Sequence, residues 1–116
     1  MHKSHKALNR AVITLAVIFM VFTTSVILFL STDTAQYSHN MNLGRRYLAN
    51  NKYESAVVAY DAAIEIRTDS GEAYMGRGDA YAGLGEKDQA GSDYEQARKL
   101  DPSLDKRIDR RLEDLH

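Results

Sequence analysis

Polar and apolar residues follow two different patterns along this chain. From Ala11 to Leu30 the run AVITLAVIFMVFTTSVILFL carries no charge. As a helix it spans roughly 30 Å, the thickness of a bilayer core. It is apolar on every face, and the rest of the chain is too short to cover it as a core helix. The pattern therefore predicts a transmembrane helix. A cleaved signal peptide is the alternative, but its apolar stretch is typically ~7–15 residues and ends at a small-x-small site. The nearest such site here, Asp33-Thr34-Ala35, puts an acid where a small residue belongs, so an uncleaved anchor is expected.

After residue 33 the pattern becomes helical. Asp33-x-x-Gln36 reads as a capping box opening a helix that runs to about Asn50. Asn50-Asn51-Lys52 predicts a turn, followed by a helix over 53–67. Asp69-x-x-Glu72 reads as a second box, opening a helix that ends at Gly83 to Gly85, and a fourth helix covers 87–100. Asp101-Pro102 stops that helix and starts a fifth, with aspartate as cap and proline in the first turn. On the fifth, Leu104, Ile108, Leu112 and Leu115 share one face. The expected class is all-α.

The helical part repeats itself. LGRRYLANNKYESAVVAY, residues 43–60, returns as RGDAYAGLGEKDQAGSDY, residues 77–94, thirty-four positions on. Leu43-Gly44, Tyr47, Ala56, Tyr60 and Ala63 mark the first copy. Tyr74, Gly78, Tyr81, Ala90, Tyr94, Ala97 and Pro102 mark the second. A two-helix unit of this period with these residues resembles the tetratricopeptide repeat (TPR). The departures are Asn40 for the first aromatic, Arg77 for a leucine and Thr68 for the first proline. Gly44 and Gly78 are expected to let antiparallel helices approach closely. The four alanines offer small surfaces to the same crossings, and the tyrosines fill the wider gaps. Placed in register, the last helix looks like the first half of a third repeat, with a charged outer face that suits a cap. The expected organisation is a basic tail (1–10), a membrane helix (11–30), a short linker (31–36), two repeats (37–70 and 71–102) and a capping helix (103–116).

Charge adds an orientation. Lys3, Lys6 and Arg10 give the first ten residues +3, whereas all sixteen acids and the other twelve bases follow residue 30, for −4. Basic residues near the end of a span tend to stay in the cytoplasm. The N-terminus is therefore expected in the cytoplasm and the repeats on the other side, the periplasm in a bacterium. Neither half is charged enough to argue for nucleic acid. There is no cysteine, which excludes disulfides and thiolate metal sites. Thr23, Thr24 and Ser25 interrupt the apolar run, and their hydroxyls either bond back within the helix or reach a neighbouring one.

Catalytic signals are poor. His2, His5, His39 and His116 form no pair with a carboxylate at metal-ligand spacing, and the glycines form no phosphate-cradling loop. The chain is expected not to be an enzyme, to hold no cofactor or metal, and to have no small-molecule substrate. The repeat resemblance instead implies a protein-binding concave surface built from the first helix of each unit. By register it presents Met41, Asn42, Arg45, Glu72, Met75 and Asp79, with Ser38 and Leu48 alongside and Lys106 and Arg110 from the cap. The methionines would repack around varied apolar partners, and the two cap bases would face an acidic one. In chaperone-binding members a lysine and two asparagines join a later lysine and arginine to hold a terminal carboxylate. Lys106 and Arg110 match the later pair, but Met41, Arg45 and Gly76 replace the others, so that activity is not implied. Two functions are expected: a membrane-tethered adaptor or scaffold, or a small accessory subunit of a membrane complex. Partners are other proteins, the lipid bilayer through residues 11–30, and a second copy by self-association.

Overall fold

A computed structural model describes residues 2–116, with side chains from residue 4 on. The side chains of His2 and Lys3, part of the basic tail, lie outside the described residues. The helices are α1 (His2–Ala49), α2 (Tyr53–Ile66), α3 (Gly71–Gly83), α4 (Lys87–Leu100) and α5 (Asp105–Asp114), with a 3₁₀ turn at Pro102–Leu104. No strand occurs among the described residues. The polypeptide divides into two compact units, with the boundary between Thr34 and Ala35.

The expected break at 31–36 is absent, because α1 is helical through Asp33 and Gln36. No glycine or proline precedes Gly44 to interrupt it. The hydroxyls of Ser31, Thr32 and Thr34 donate to the carbonyls of Ile27, Phe29 and Leu30 at 2.7, 2.7 and 3.1 Å. Asp33 is thus an interior residue and caps nothing. In the first unit the apolar stretch is long enough to cross a membrane, and none of its side chains is buried by protein. Thr23 and Thr24 bond back to Met20 and Val21 at 2.9 Å, so their hydroxyls are satisfied inside the helix.

In the second unit both helical hairpins turn the same way. Asn51 and Gly85, at equivalent positions, have φ of 56° and 78°, the left-handed conformation that ends helices. Lys52 N–H then donates to the Tyr47 carbonyl at 2.8 Å, and Glu86 N–H to Tyr81 at 2.9 Å. The cap of α3 lies one residue beyond the predicted Asp69. Ser70 Oγ accepts from Ala73 N–H at 3.1 Å, and the Tyr37 hydroxyl meets the same Oγ at 2.6 Å. Asp101 accepts from Ser103 N–H at 3.0 Å, as its place before Pro102 predicts.

Two clusters make the core, one around Met41, Ala56, Tyr60 and Ala63, the other around Met75, Ala90, Tyr94 and Ala97. Gly44, Gly76 and Gly78 lie at the close helix crossings, and each faces a tyrosine ring. A Cβ at Gly44 would lie 2.7 Å from the Tyr60 ring and one at Gly76 2.4 Å from it, while one at Gly78 would lie 2.7 Å from Tyr94. The space left by each glycine is filled by a tyrosine of a second helix, so one device closes the crossing and fills the gap. Each ring buries on the order of 150–250 Å². The second cluster ends in Leu104 and Ile108, 3% and 0% exposed, which seat α5.

Candidate protein-binding groove

α1, α3 and α5 enclose a groove of about 200 Å³ whose floor is Met41, Met75 and Tyr60. α1 contributes Arg45 and α3 contributes Glu72 and Asp79. Six of the predicted concave-face residues are therefore brought together: Met41, Arg45, Leu48, Glu72, Met75 and Asp79. Asn42 is exposed in an adjoining hollow with Tyr37 and Ser38, and its Oδ1 accepts from Arg45 Nη1 at 3.1 Å.

Two expectations need correction. Met41 and Met75 are 4% and 2% exposed. They belong to the core and are no adaptable surface, Met41 in the cluster of Tyr60 and Met75 in that of Leu104 and Ile108. Lys106 and Arg110 are exposed and do not line the groove. Arg107 and Arg111 do so instead. Arg107 donates to Glu72 at 2.6 Å, and Arg111 grips Asp79 with Nε to Oδ1 at 2.6 Å and Nη2 to Oδ2 at 3.0 Å. One signal was available in the sequence: two arginines four apart on the cap answer two acids seven apart on α3. The repeat register alone misses it, because a long guanidinium stem reaches sideways from the neighbouring position.

Charge in the groove is mostly neutralised from within. Arg107 pairs with Glu72 and Arg111 with Asp79, while the Tyr94 hydroxyl also donates to Asp79 at 2.8 Å. Charge-assisted bonds of this kind raise the Arg111 pKa, the bond to Asp79 being the largest cause. Arg45 remains the exposed cation whose hydrogen bond goes to a neutral amide. Burial pushes Tyr60 up to about 12 and Tyr94 higher, so both phenols stay protonated at neutral pH. Among the described residues no three acidic or histidine side chains are grouped to hold a metal ion.

An ionic link that the repeat pattern does not contain joins α2, α3 and α4. Arg77 on α3 donates to both Asp93 oxygens, at 2.8 and 2.7 Å, and to Asp61 on α2 at 2.7 Å. Asp93 is 5% exposed. Tyr74 and Tyr81 flank the guanidinium, their centroids 5.3 and 5.9 Å away.

Two family profiles match this unit: one described as TPR repeat over residues 44–85, the other as tetratricopeptide repeat over residues 71–104. Together they run from Gly44, near the end of α1, through α4 to the turn before α5. No curated protein matches this sequence.

Proposed function

We propose, from the premise that the chain belongs to the tetratricopeptide-repeat family, that it holds partner proteins at a membrane surface. Repeats of this kind serve protein–protein interaction as a class. The finer reading adds an anchor and an orientation. Residues 11–30 span the bilayer, the basic tail stays in the cytoplasm, and the repeats work on the other side, the periplasm in a bacterium. The observation that carries the binding role is the groove, whose walls are paired except at Arg45. A surface that has already neutralised most of its charge sheds little water on binding and keeps one cation for recognition.

The test is purification of the tagged full-length protein from native membranes in mild detergent, with mass spectrometry of its companions. Asn42→Trp puts a bulky ring on an exposed residue at the groove mouth and leaves the core intact. Companions that vanish with this variant support the reading, and companions that all persist sink it. Met75→Glu does not serve here, since a buried charge would unfold the unit.

One observation favours an accessory-subunit reading beside it. On the face of α1 and α2 that leads the array, Leu43, Tyr47, Ala62 and Val58 border a shallow hollow of about 290 Å³. Val58 is 68% exposed. A fixed, stoichiometric set of companions retained in Asn42→Trp and lost in Val58→Glu would assign the association to this face.

A further inference from the structure

The two ends of the repeat array are finished differently. At the far end α5 closes the second cluster with Leu104 and Ile108 and turns Lys106, Asp109, Arg110 and Glu113 to solvent. A charged outer face of this kind is what a terminal helix in a repeat array requires. The leading end has no such cover among the described residues. Its hollow, bordered by Leu43, Tyr47, Val58 and Ala62, is lined only by uncharged side chains, and Val58 is 68% exposed.

The second repeat shows how this face is used. Leu43 and Ala59 stand where Arg77 and Asp93 stand thirty-four positions on, and Asn40 where Tyr74 stands. In the second repeat this face docks onto the first. Tyr74 packs against the first core cluster, and Arg77 donates across to Asp61 on α2 at 2.7 Å. The first repeat offers the same face with apolar residues at the charged positions, and no hairpin precedes it among the described residues. Two repeats are also few, since about three units are usually needed to bury a continuous core.

We infer that this face pairs with the same face of a second copy of the chain, in a two-fold contact that joins two repeats to two repeats. The inference rests on the reading that association occurs at the leading face, and it names the companion. Charge selects a second copy. A two-fold contact sets a patch against itself, so a charged patch would repel its mate, and this one carries no charge. With the other end covered by α5, copies cannot add head to tail, and assembly stops at two. Residues 11–30 in one bilayer, as proposed above, also give the copies the same sidedness and raise their effective concentration.

The test uses the full-length protein purified in mild detergent. Light scattering corrected for bound detergent should give twice the protomer mass. Val58→Glu should raise the dissociation constant of the pair at least about tenfold, because a carboxylate would lose water against an apolar face. Ser55→Arg, on an exposed neighbour, should do the same through the opposite charge, and Arg110→Glu on the outer side of α5 should leave the pair intact. The sequence contains no cysteine, so a single introduced thiol can bond only to its own copy. On oxidation, Ser55→Cys, Val58→Cys or Ala62→Cys should yield a linked pair, at whichever lies within about 7 Å of its mate. Arg110→Cys should yield none.

A single protomer mass, a mass above two, or a pair that survives both charge variants overturns the inference. So does oxidation that links none of the three α2 variants, or that links Arg110→Cys as well as it links them. A single protomer mass together with companions lost in Val58→Glu would remove the second copy and leave the face as a docking site for another protein.

Discussion

Tyr60 and Tyr94 show how much a single residue type can conceal. Their spacing and aromatic character predict packing, and both are buried to 2% exposure. Hydroxyl chemistry was not visible at that level, because it depends on what stands across the groove, which is Arg45 in one repeat and Asp79 in the other. The raised pKa of Tyr60 has a consequence for stability. The folded protein keeps this proton until about pH 12, whereas the unfolded polypeptide releases it near pH 10. Stability from this group is therefore fully present below pH 10 and is lost as pH rises toward 12, with a slope of at most about 1.4 kcal/mol per pH unit. Chemical denaturation at a series of alkaline pH values should show this decline, and Tyr60→Phe should make it shallower. Tyr94, raised for the same reason and by Asp79, adds to the slope in the native protein.

Between elements, the clearest departure from the repeat pattern is Arg77, which stands where a leucine is expected. Its register partner in the first repeat is Leu43, and the register partner of Asp93 is Ala59. The two positions differ as a pair between the repeats. The reason is that α3 packs against α2, where Asp61 offers a second carboxylate to the same guanidinium. Arg77→Leu should destabilise the fold by about 3–5 kcal/mol, because Asp93 is left buried and unpaired. The double variant Arg77→Leu/Asp93→Ala, which reproduces the first repeat, should recover most of that loss; Asp61, with its side chain 46% exposed, returns to water. Thermal melts of the three proteins check this, and failure of the second change to restore stability would count against the pairing. Helix boundaries were predicted where glycine, asparagine or proline sets the backbone, as at Asn51, Gly85 and Pro102. They were missed at Asp33, where a capping pattern lies inside α1 and has no break to cap.

Over the whole molecule, the proposed anchoring has a direct physical test. The full-length protein should stay with the membrane pellet through an alkaline wash. Phe22→Arg, near the middle of the apolar run, should cost about 2.5–3.5 kcal/mol of insertion and shift protein into the supernatant. A protein that washes off unaltered, or ignores the arginine, would remove the anchor from the proposal. The sequence by itself determined the long apolar helix, the two helical hairpins, their turns and the small-residue crossings. Each of these is written in local periodicity or in residues that set their own backbone angles. Tertiary structure alone decided that Met41 and Met75 are core and that Arg107 and Arg111, rather than Lys106 and Arg110, meet the groove. It also decided that the Tyr94 hydroxyl finds the Asp79 carboxylate while that of Tyr60 has no hydrogen-bond partner among the described residues. These outcomes depend on where side chains fifteen or more residues apart point once helices pack, and no period along the sequence records that direction.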